Sequence, residues 1–269
     1  MNSTALAWSI RRHAIDMVHN SHASHIAAAL SAADILAVLY ADILHVDPKY
    51  SLMPNRDRFV MSKGHAGIAV YAALAEMGFF PLEELKRYYM DGSCYSGHIS
   101  HKGVPGVELS TGSLGHGIAV ACGMALAARS RNFPYHIYTL VGDGECNEGS
   151  VWETALVANQ YLLDNFTAIV DRNKLQAMGE CEKVMSMEPL AEKWKSFGWT
   201  VIRVLDGHDH TQLKEAFHTS ANGHPRCIIA ETVKGKGISF MENQLLWHYR
   251  DPQGEFYQAA VAELEGQRP

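Results

Sequence analysis

Hydrophobic and polar positions along the chain fall into segments of two periods. Residues 4–19 and 31–44 carry apolar side chains at helical spacing, and in the second of these Ile35, Leu36, Val38 and Leu39 follow Asp34. Arg58 to Met61 predicts a short strand, followed by the polar loop Ser62-Lys63-Gly64-His65 and a helix to about Met77. Pro81 stands where a first helical turn accepts proline and opens another helix. Strands are predicted over 136–141, 166–171, 200–205 and 227–231. Helices are predicted over 114–131 and 150–160, after the loop 172–189, and from near Asp209. Strands alternating with helices imply an α/β fold, a mostly parallel sheet with helices on both faces. No internal repeat or low-complexity linker divides the chain, so one domain over 1–269 is expected.

In such sheets ligands bind outside the carboxyl ends of the strands. Two polar loops fall there. The first is Gly142-Asp143-Gly144-Glu145-Cys146-Asn147-Glu148-Gly149, and the second runs from Asp171 to Leu175. Asp143 arrives at a strand end, its flanking glycines permit a tight turn, and the following helix start favours an anion. Thirty positions later Asn173 ends the next strand. A hard cation such as Mg²⁺ takes oxygen ligands, usually completed by phosphates. The Asp143 carboxylate, the Asn173 amide oxygen and the Leu175 carbonyl could supply three. Gly-Asp-Gly alone could be an Asx turn; Asn173 at a second strand end argues for a site. A dinucleotide loop fits poorly, because the spacing is Gly-x-Gly-x4-Gly and lies mid-chain. The segment 91–117, rich in Gly, Ser and His, predicts a long ordered loop, which in compact domains is usually functional.

Composition narrows the partners. Lys plus Arg is 23 against 29 Asp plus Glu, a net charge of −6, with no basic run suited to a phosphate backbone, so nucleic acid is excluded as the main partner. The apolar stretch 117–128 is too short to cross a bilayer, and no membrane association is expected. Five widely spaced Cys without a CxxC pair fit neither a disulfide framework nor a zinc knuckle. With no secretory leader visible, a cytoplasmic location is expected. The 15 His are unusual, since several sit in polar or Gly-rich loops, and imidazole changes charge near neutral pH.

At these residues the chain resembles transketolase. Gly142-Asp143-Gly144 followed by Asn173 is similar to the thiamine diphosphate signature. Four further blocks stand in the family's order: Asp57-Arg58-Phe59-Val60-Met61-Ser62-Lys63-Gly64-His65, Ser110-Thr111-Gly112-Ser113-Leu114-Gly115-His116-Gly117, Asp171-Arg172-Asn173-Lys174-Leu175-Gln176, and Val233-Lys234-Gly235-Lys236-Gly237. The resemblance runs from about residue 8 to 262 and is nearest to the N-terminal subunit of a split transketolase, which carries only the diphosphate-binding domain.

The resemblance implies roles position by position. Asp143, Asn173 and the Leu175 carbonyl would hold Mg²⁺. His65 and Gly144 would contact the diphosphate, with Gly142 and Asn173 in the same cofactor shell. Gly112, Ser113 and Leu114 would line the aminopyrimidine side. His25, His98 and His248 would face the reacting sugar as catalytic groups, His248 also touching the cofactor. Glu148 matches a cofactor-linked glutamate at a subunit interface. His116 either joins this group or only shapes its loop. His208, His210, His218 and His224 are taken as surface or capping neighbours, Asp209 as a helix N-cap, and Cys146 as non-catalytic. Two departures bear on the sugar: Ala27-Ala28-Ala29 stands where glycines are usual, and Arg250 follows His248 closely.

The implied activity is thiamine diphosphate- and Mg²⁺-dependent transfer of a two-carbon ketol unit from a ketose phosphate donor to an aldose phosphate acceptor. The chain stops at Pro269, before any pyrimidine-binding domain. The resemblance therefore implies a C-terminal transketolase subunit that supplies that domain and a catalytic Glu, in an α2β2 assembly, with no activity for this chain alone. The alternatives are a subunit of a 2-oxo-acid dehydrogenase or of a deoxyxylulose-phosphate synthase-like enzyme, and a non-catalytic homologue that keeps the fold.

Overall fold

The computed structural model describes residues 1–269. Helix α1 (Ser3–Ser21) begins where Asn2 accepts a hydrogen bond from the Ala5 backbone N–H at 2.8 Å. Helix α2 (Ile26–Val38) starts five residues before the position read from the sequence and runs into a π turn at Leu39–Ile43. All of its residues are buried, so it has no polar face to set a phase. The stretch Ile26–Ile43, with mean hydropathy 1.8, is longer than the 117–128 run and long and apolar enough to cross a membrane. Here it is a core helix enclosed by its neighbours, with 83% of it buried in the protein.

Strand β1 (Arg58–Met61) leads into α3 (Gly67–Glu76), and the helix expected to open at Pro81 is a 3-10 turn at Leu82–Arg87 with Pro81 at its N-cap position. The long polar loop then reaches α4 (His116–Ser130), β2 (Ile137–Gly142), α5 (Gly149–Gln160) and β3 (Phe166–Arg172). A short α6 (Cys181–Val184) and α7 (Leu190–Ser196) precede β4 (Thr200–Val204), α8 (His210–His218) and β5 (Arg226–Glu231). Asp209 caps α8, accepting from the Thr211 and Gln212 N–H groups. A final helix, α9 (Glu255–Glu265), had no counterpart in the sequence reading. It docks on α1, where the Trp8 indole N–H donates to the Leu264 carbonyl at 2.7 Å.

All five strands are parallel, in the order β1-β2-β3-β5-β4. The inner strands β2, β3 and β5 are almost wholly buried, as a sheet covered on both faces requires. Tyr138, Leu140, Ile169, Ile228 and Ala230 pack in the larger core with α1, α2, α3, α8 and α9. Ile137, Val141, Ala168, Val170 and Ile229 pack on the other face with α4, α5 and α7. The register sets Met61 beside Leu140, Gly142 beside Asp171 and Arg172 beside Glu231. The residues just past β1, β2, β3 and β5 therefore emerge side by side.

His136, at the entry to β2, meets Thr167 Oγ1 at 2.8 Å, and burial together with the nearby Arg226 cation pushes its pKa down to about 3. The unfolded chain binds a proton there from its ordinary pKa downward, whereas the folded chain does not, so stability is lost as pH falls. From about pH 6.5 toward acid this contributes a loss of up to about 1.4 kcal/mol per pH unit. Urea unfolding of wild type and His136→Gln from neutral to mildly acid pH is expected to show the shallower acid slope in the variant; parallel slopes would contradict this.

Candidate active site

A cavity of about 680 Å³ opens at the carboxyl edge of the sheet. Lys63 and His65 enter it from the loop after β1, Gly142 to Glu145 from β2, Asn173 and Leu175 from β3, and Lys234 from β5. His25 comes from the α1–α2 turn, His98, Gly112 and Leu114 from the long loop, and His248 from a 3-10 turn at Leu245–His248. Glu148 also lies on the wall and is exposed. Of the residues singled out in the sequence, Ser113 is exposed and not part of the wall. His116 is exposed at the start of α4, also off the wall. Of the three alanines only Ala28 reaches the cavity, and Arg250 lies outside it.

Four imidazoles gather on one side. His25 holds a left-handed backbone (φ 71°) that ends the α1–α2 turn, and its N–H donates to the His248 carbonyl at 2.9 Å. Its ring lies 4.8 Å from that of His248, 5.2 Å from His65 and 5.6 Å from His98. Burial, then the charges of His98, Lys234 and Lys63, brings the His25 pKa down to about 4. Burial and Lys234 bring His248 down to about 3, and burial with Lys63 lowers His65. Those three rings are therefore neutral near pH 7, each with one ring nitrogen as a hydrogen-bond donor and the other as an acceptor. The buried Nδ1 of His25 has no hydrogen-bond partner within the chain.

Under the histidines lies a charge network. Asp171, fully buried at the end of β3, accepts from Lys63 Nζ at 2.5 Å and Ser31 Oγ at 2.6 Å, and from the Thr232 hydroxyl. Burial pushes this carboxyl up, but the Lys63 ammonium and the two hydroxyls outweigh it and hold its pKa down. Asn173 donates to Ser31 Oγ at 3.3 Å, which directs its amide oxygen away from Ser31. Lys174 adopts a left-handed backbone (φ 67°), and the chain turns so that Asn173 and Leu175 both reach the wall. Asp143 accepts from the Lys174 N–H at 2.5 Å and the Gly144 N–H at 2.8 Å; burial and the Asp171 charge raise its pKa. Lys234 Nζ donates to the Leu175 carbonyl at 2.8 Å and approaches His248 Nδ1 at 3.0 Å, and burial and Lys63 bring its pKa down to about 8.

Glu145 ties these loops together. Its buried carboxylate accepts from Ser62 Oγ at 2.5 Å, the Gly115 N–H at 2.8 Å and the Gly142 N–H at 3.0 Å. Packing is equally close at Gly64, where a Cβ would lie 2.3 Å from the Thr111 carbonyl oxygen. Sequence reasoning gave no role to Lys63, Asp171, Lys234 or Glu145. The available signal was their position, since each lies on the last strand residues or in the first few beyond them. His208 and His210 are also not surface neighbours: both are largely buried against Asp34.

The donor set fits a diphosphate with a divalent cation. Two ammonium groups buried at the cavity, Lys63 and Lys234, suit an anion. For the cation, the Asp143 carboxylate, the Asn173 amide oxygen and a second lone pair on the Leu175 carbonyl stand on one wall. No cluster of three or more His, Cys, Asp or Glu forms a self-sufficient metal site, so a cation held here would take further oxygens from a bound phosphate and from water.

The family model for transketolase, thiamine diphosphate binding domain, matches residues 2–250. The chain belongs to the transketolase family. Within it, the chain is an N-terminal subunit of the split type. It is 42% identical to an apulose-4-phosphate transketolase subunit of Phocaeicola vulgatus, over 94% of this chain and 90% of that one. It is 40% identical to a 6-deoxy-6-sulfo-D-fructose transketolase subunit of Clostridium sp., over 95% of this chain and 94% of that one. Human transketolase is 36% identical over 96% of this chain but only 41% of its own length. The crystal structure of Campylobacter jejuni transketolase superposes with a TM-score of 0.92 at 31% identity, covering 98% of this chain and 43% of that one.

Asp171→Asn leaves Lys63 buried beside a neutral amide. Unpairing a buried ion pair in this way costs about 3–5 kcal/mol. Chemical denaturation is expected to show a loss of that order, and a loss under about 1 kcal/mol would mean that the pair is solvated.

Proposed function

We propose that this chain is the N-terminal, cofactor-holding subunit of a two-subunit transketolase. The observation that carries this reading is the convergence of Lys63, Asp143, Asn173 and Lys234 from four neighbouring strands on a cavity whose other side is lined by four histidines. Thiamine diphosphate, when bound, supplies the electron sink for breaking and making a carbon–carbon bond. Asp143, the Asn173 amide oxygen and the Leu175 carbonyl would hold Mg²⁺, which would screen the diphosphate charge. His65, Gly142 and Gly144 would meet the diphosphate beside Lys63 and Lys234. Gly112 and Leu114, with Ser113 at the rim, would line the aminopyrimidine side.

His25, His98 and His248 would bind sugar hydroxyls and move protons at the hydroxyl oxygen next to the bond that breaks. At neutral pH both His25 and His248 are uncharged, and His248, which meets the Lys234 ammonium at Nδ1, presents an Nε2–H donor. No arginine lines the cavity, and in this reading both of its lysines serve the diphosphate. The anionic end of a sugar phosphate or sulfonate is therefore left to a partner chain.

Support for a partner comes from exposed apolar surface. Met178 (75% exposed) and Met185 (59% exposed) stand on the cavity wall, and Leu156 (59%), Val157 (44%) and Tyr161 (53%) lie on and just after α5. A partner chain docked on this side would cover these side chains. A C-terminal transketolase subunit bringing the pyrimidine-binding domain and its Glu, in an α2β2 arrangement in the cytoplasm, would be that partner. Glu148, exposed on the wall, would approach such an interface.

The test is ketol transfer from a ketose phosphate to an aldose phosphate, assayed with this chain alone and with its candidate partner. Activity only in the mixture is expected, and turnover absent from every mixture would contradict the reading. In the active complex His98→Ala should lose about 10²–10⁴-fold in turnover, with cofactor affinity nearly unchanged. Transfer within a few-fold of wild type would remove His98 from the chemistry.

A further inference from the structure

One turn beyond Ser31, α2 carries a buried acid of its own. Asp34 accepts from Arg11, whose Nη1 lies 3.2 Å from Oδ1, and from two imidazoles, His208 Nδ1 at 2.6 Å and His210 Nε2 at 3.0 Å. The side chains of Asp34, His208 and Arg11 are only 7%, 9% and 10% exposed. Arg11 already balances the Asp34 charge, so the imidazoles are not needed for neutrality. His208 does something more specific, because its Nε2 accepts the backbone N–H of Val233 at 2.8 Å. An imidazole that accepts at Nε2 keeps its proton on Nδ1, where Asp34 Oδ2 receives it. The carboxylate thereby fixes the tautomer, and the tautomer fixes the loop.

The loop in question carries Lys234. The turn bearing His208 presses against the end of β5: a Cβ at Gly207 would lie 2.6 Å from Thr232 Cγ2 and 2.8 Å from the Glu231 carbonyl oxygen. Past Lys234, the Gly235 N–H donates to the Ala27 carbonyl at 3.0 Å and Arg11 Nε donates to the Lys236 carbonyl at 3.1 Å. The residue before Lys234 is thus held by His208 and the two after it by α2 and Arg11. We propose that Asp34 and His208 are positioning residues that anchor the β5 exit loop and so hold the Lys234 ammonium at the cavity. Its use there, against a diphosphate, rests on the functional reading above; the anchoring itself does not.

The test uses the full ligand-free chain. Lys63 and Lys234 are both buried at the same cavity, but Lys63 leaves β1 and is held by Asp171. Labelling with an amine-reactive ester, quantified residue by residue by mass spectrometry, compares wild type with His208→Leu, His208→Gln and Asp34→Asn. His208→Leu should raise Lys234 labelling by about tenfold, the weight of one net hydrogen bond, with Lys63 unchanged. His208→Gln, whose amide oxygen can still take the Val233 N–H, should stay near wild type. Should His208→Leu not fold, Asp34→Asn serves in its place, because it releases the tautomer and should also expose Lys234. Unchanged Lys234 labelling, or Lys63 and Lys234 rising together as in general loosening, would overturn the proposal. A titration of the same set with thiamine diphosphate and Mg²⁺, with and without the partner chain, separates the two readings. Absence of wild-type binding in both arms would defeat the functional reading, while the labelling would still decide this one.

Discussion

The buried pair between Lys63 and Asp171 is the constraint on which the site depends. Neither charge reaches water, and the carboxylate that closes the apolar run of β3 would be untenable without its cation. Once present, Asp171 also orders Ser31 on α2 and Thr232 beyond β5, so three elements meet on one side chain. Ser31 in turn orients Asn173. A stabilising interaction and an arrangement of ligand donors are thus the same network. Polar networks of this kind, when fully satisfied, fix a unique geometry better than apolar packing does.

Helix α2 shows how a fold can serve chemistry from inside its core. Its only polar side chains, Ser31 and Asp34, are almost one turn apart and face two different networks. The helix starts at the left-handed His25, so the same chain reversal that lets an apolar helix begin also projects an imidazole into the cavity. Glu145 works similarly from the other side of the cleft, joining the exits of β1 and β2 to the turn before α4.

Much of this was legible in the sequence, for identifiable reasons. Strands β2 and β3 are apolar runs closed by Gly-Asp-Gly and Asp-Arg-Asn, so both the strands and the donors at their ends could be read together. The start of α2 could not, because Ile26 to Leu30 has no polar face and periodicity finds no phase there. Lys63 and Lys234 were seen only as parts of matched blocks, since a lysine in a Gly-containing loop reads the same whether solvated or buried. His208 was misread for a related reason: its partner Asp34 stands 174 positions away, and only the fold brings them together. Local pattern finds what strand ends present; it does not find what pairs across the sheet.

The most direct test of the central claim is a calorimetric titration of thiamine diphosphate with Mg²⁺ into the chain, with and without the partner and again in EDTA. The account predicts metal-dependent binding that strengthens when the partner is present and weakens in Asp143→Asn. Absence of binding under every condition, or binding indifferent to both metal and Asp143, would contradict it.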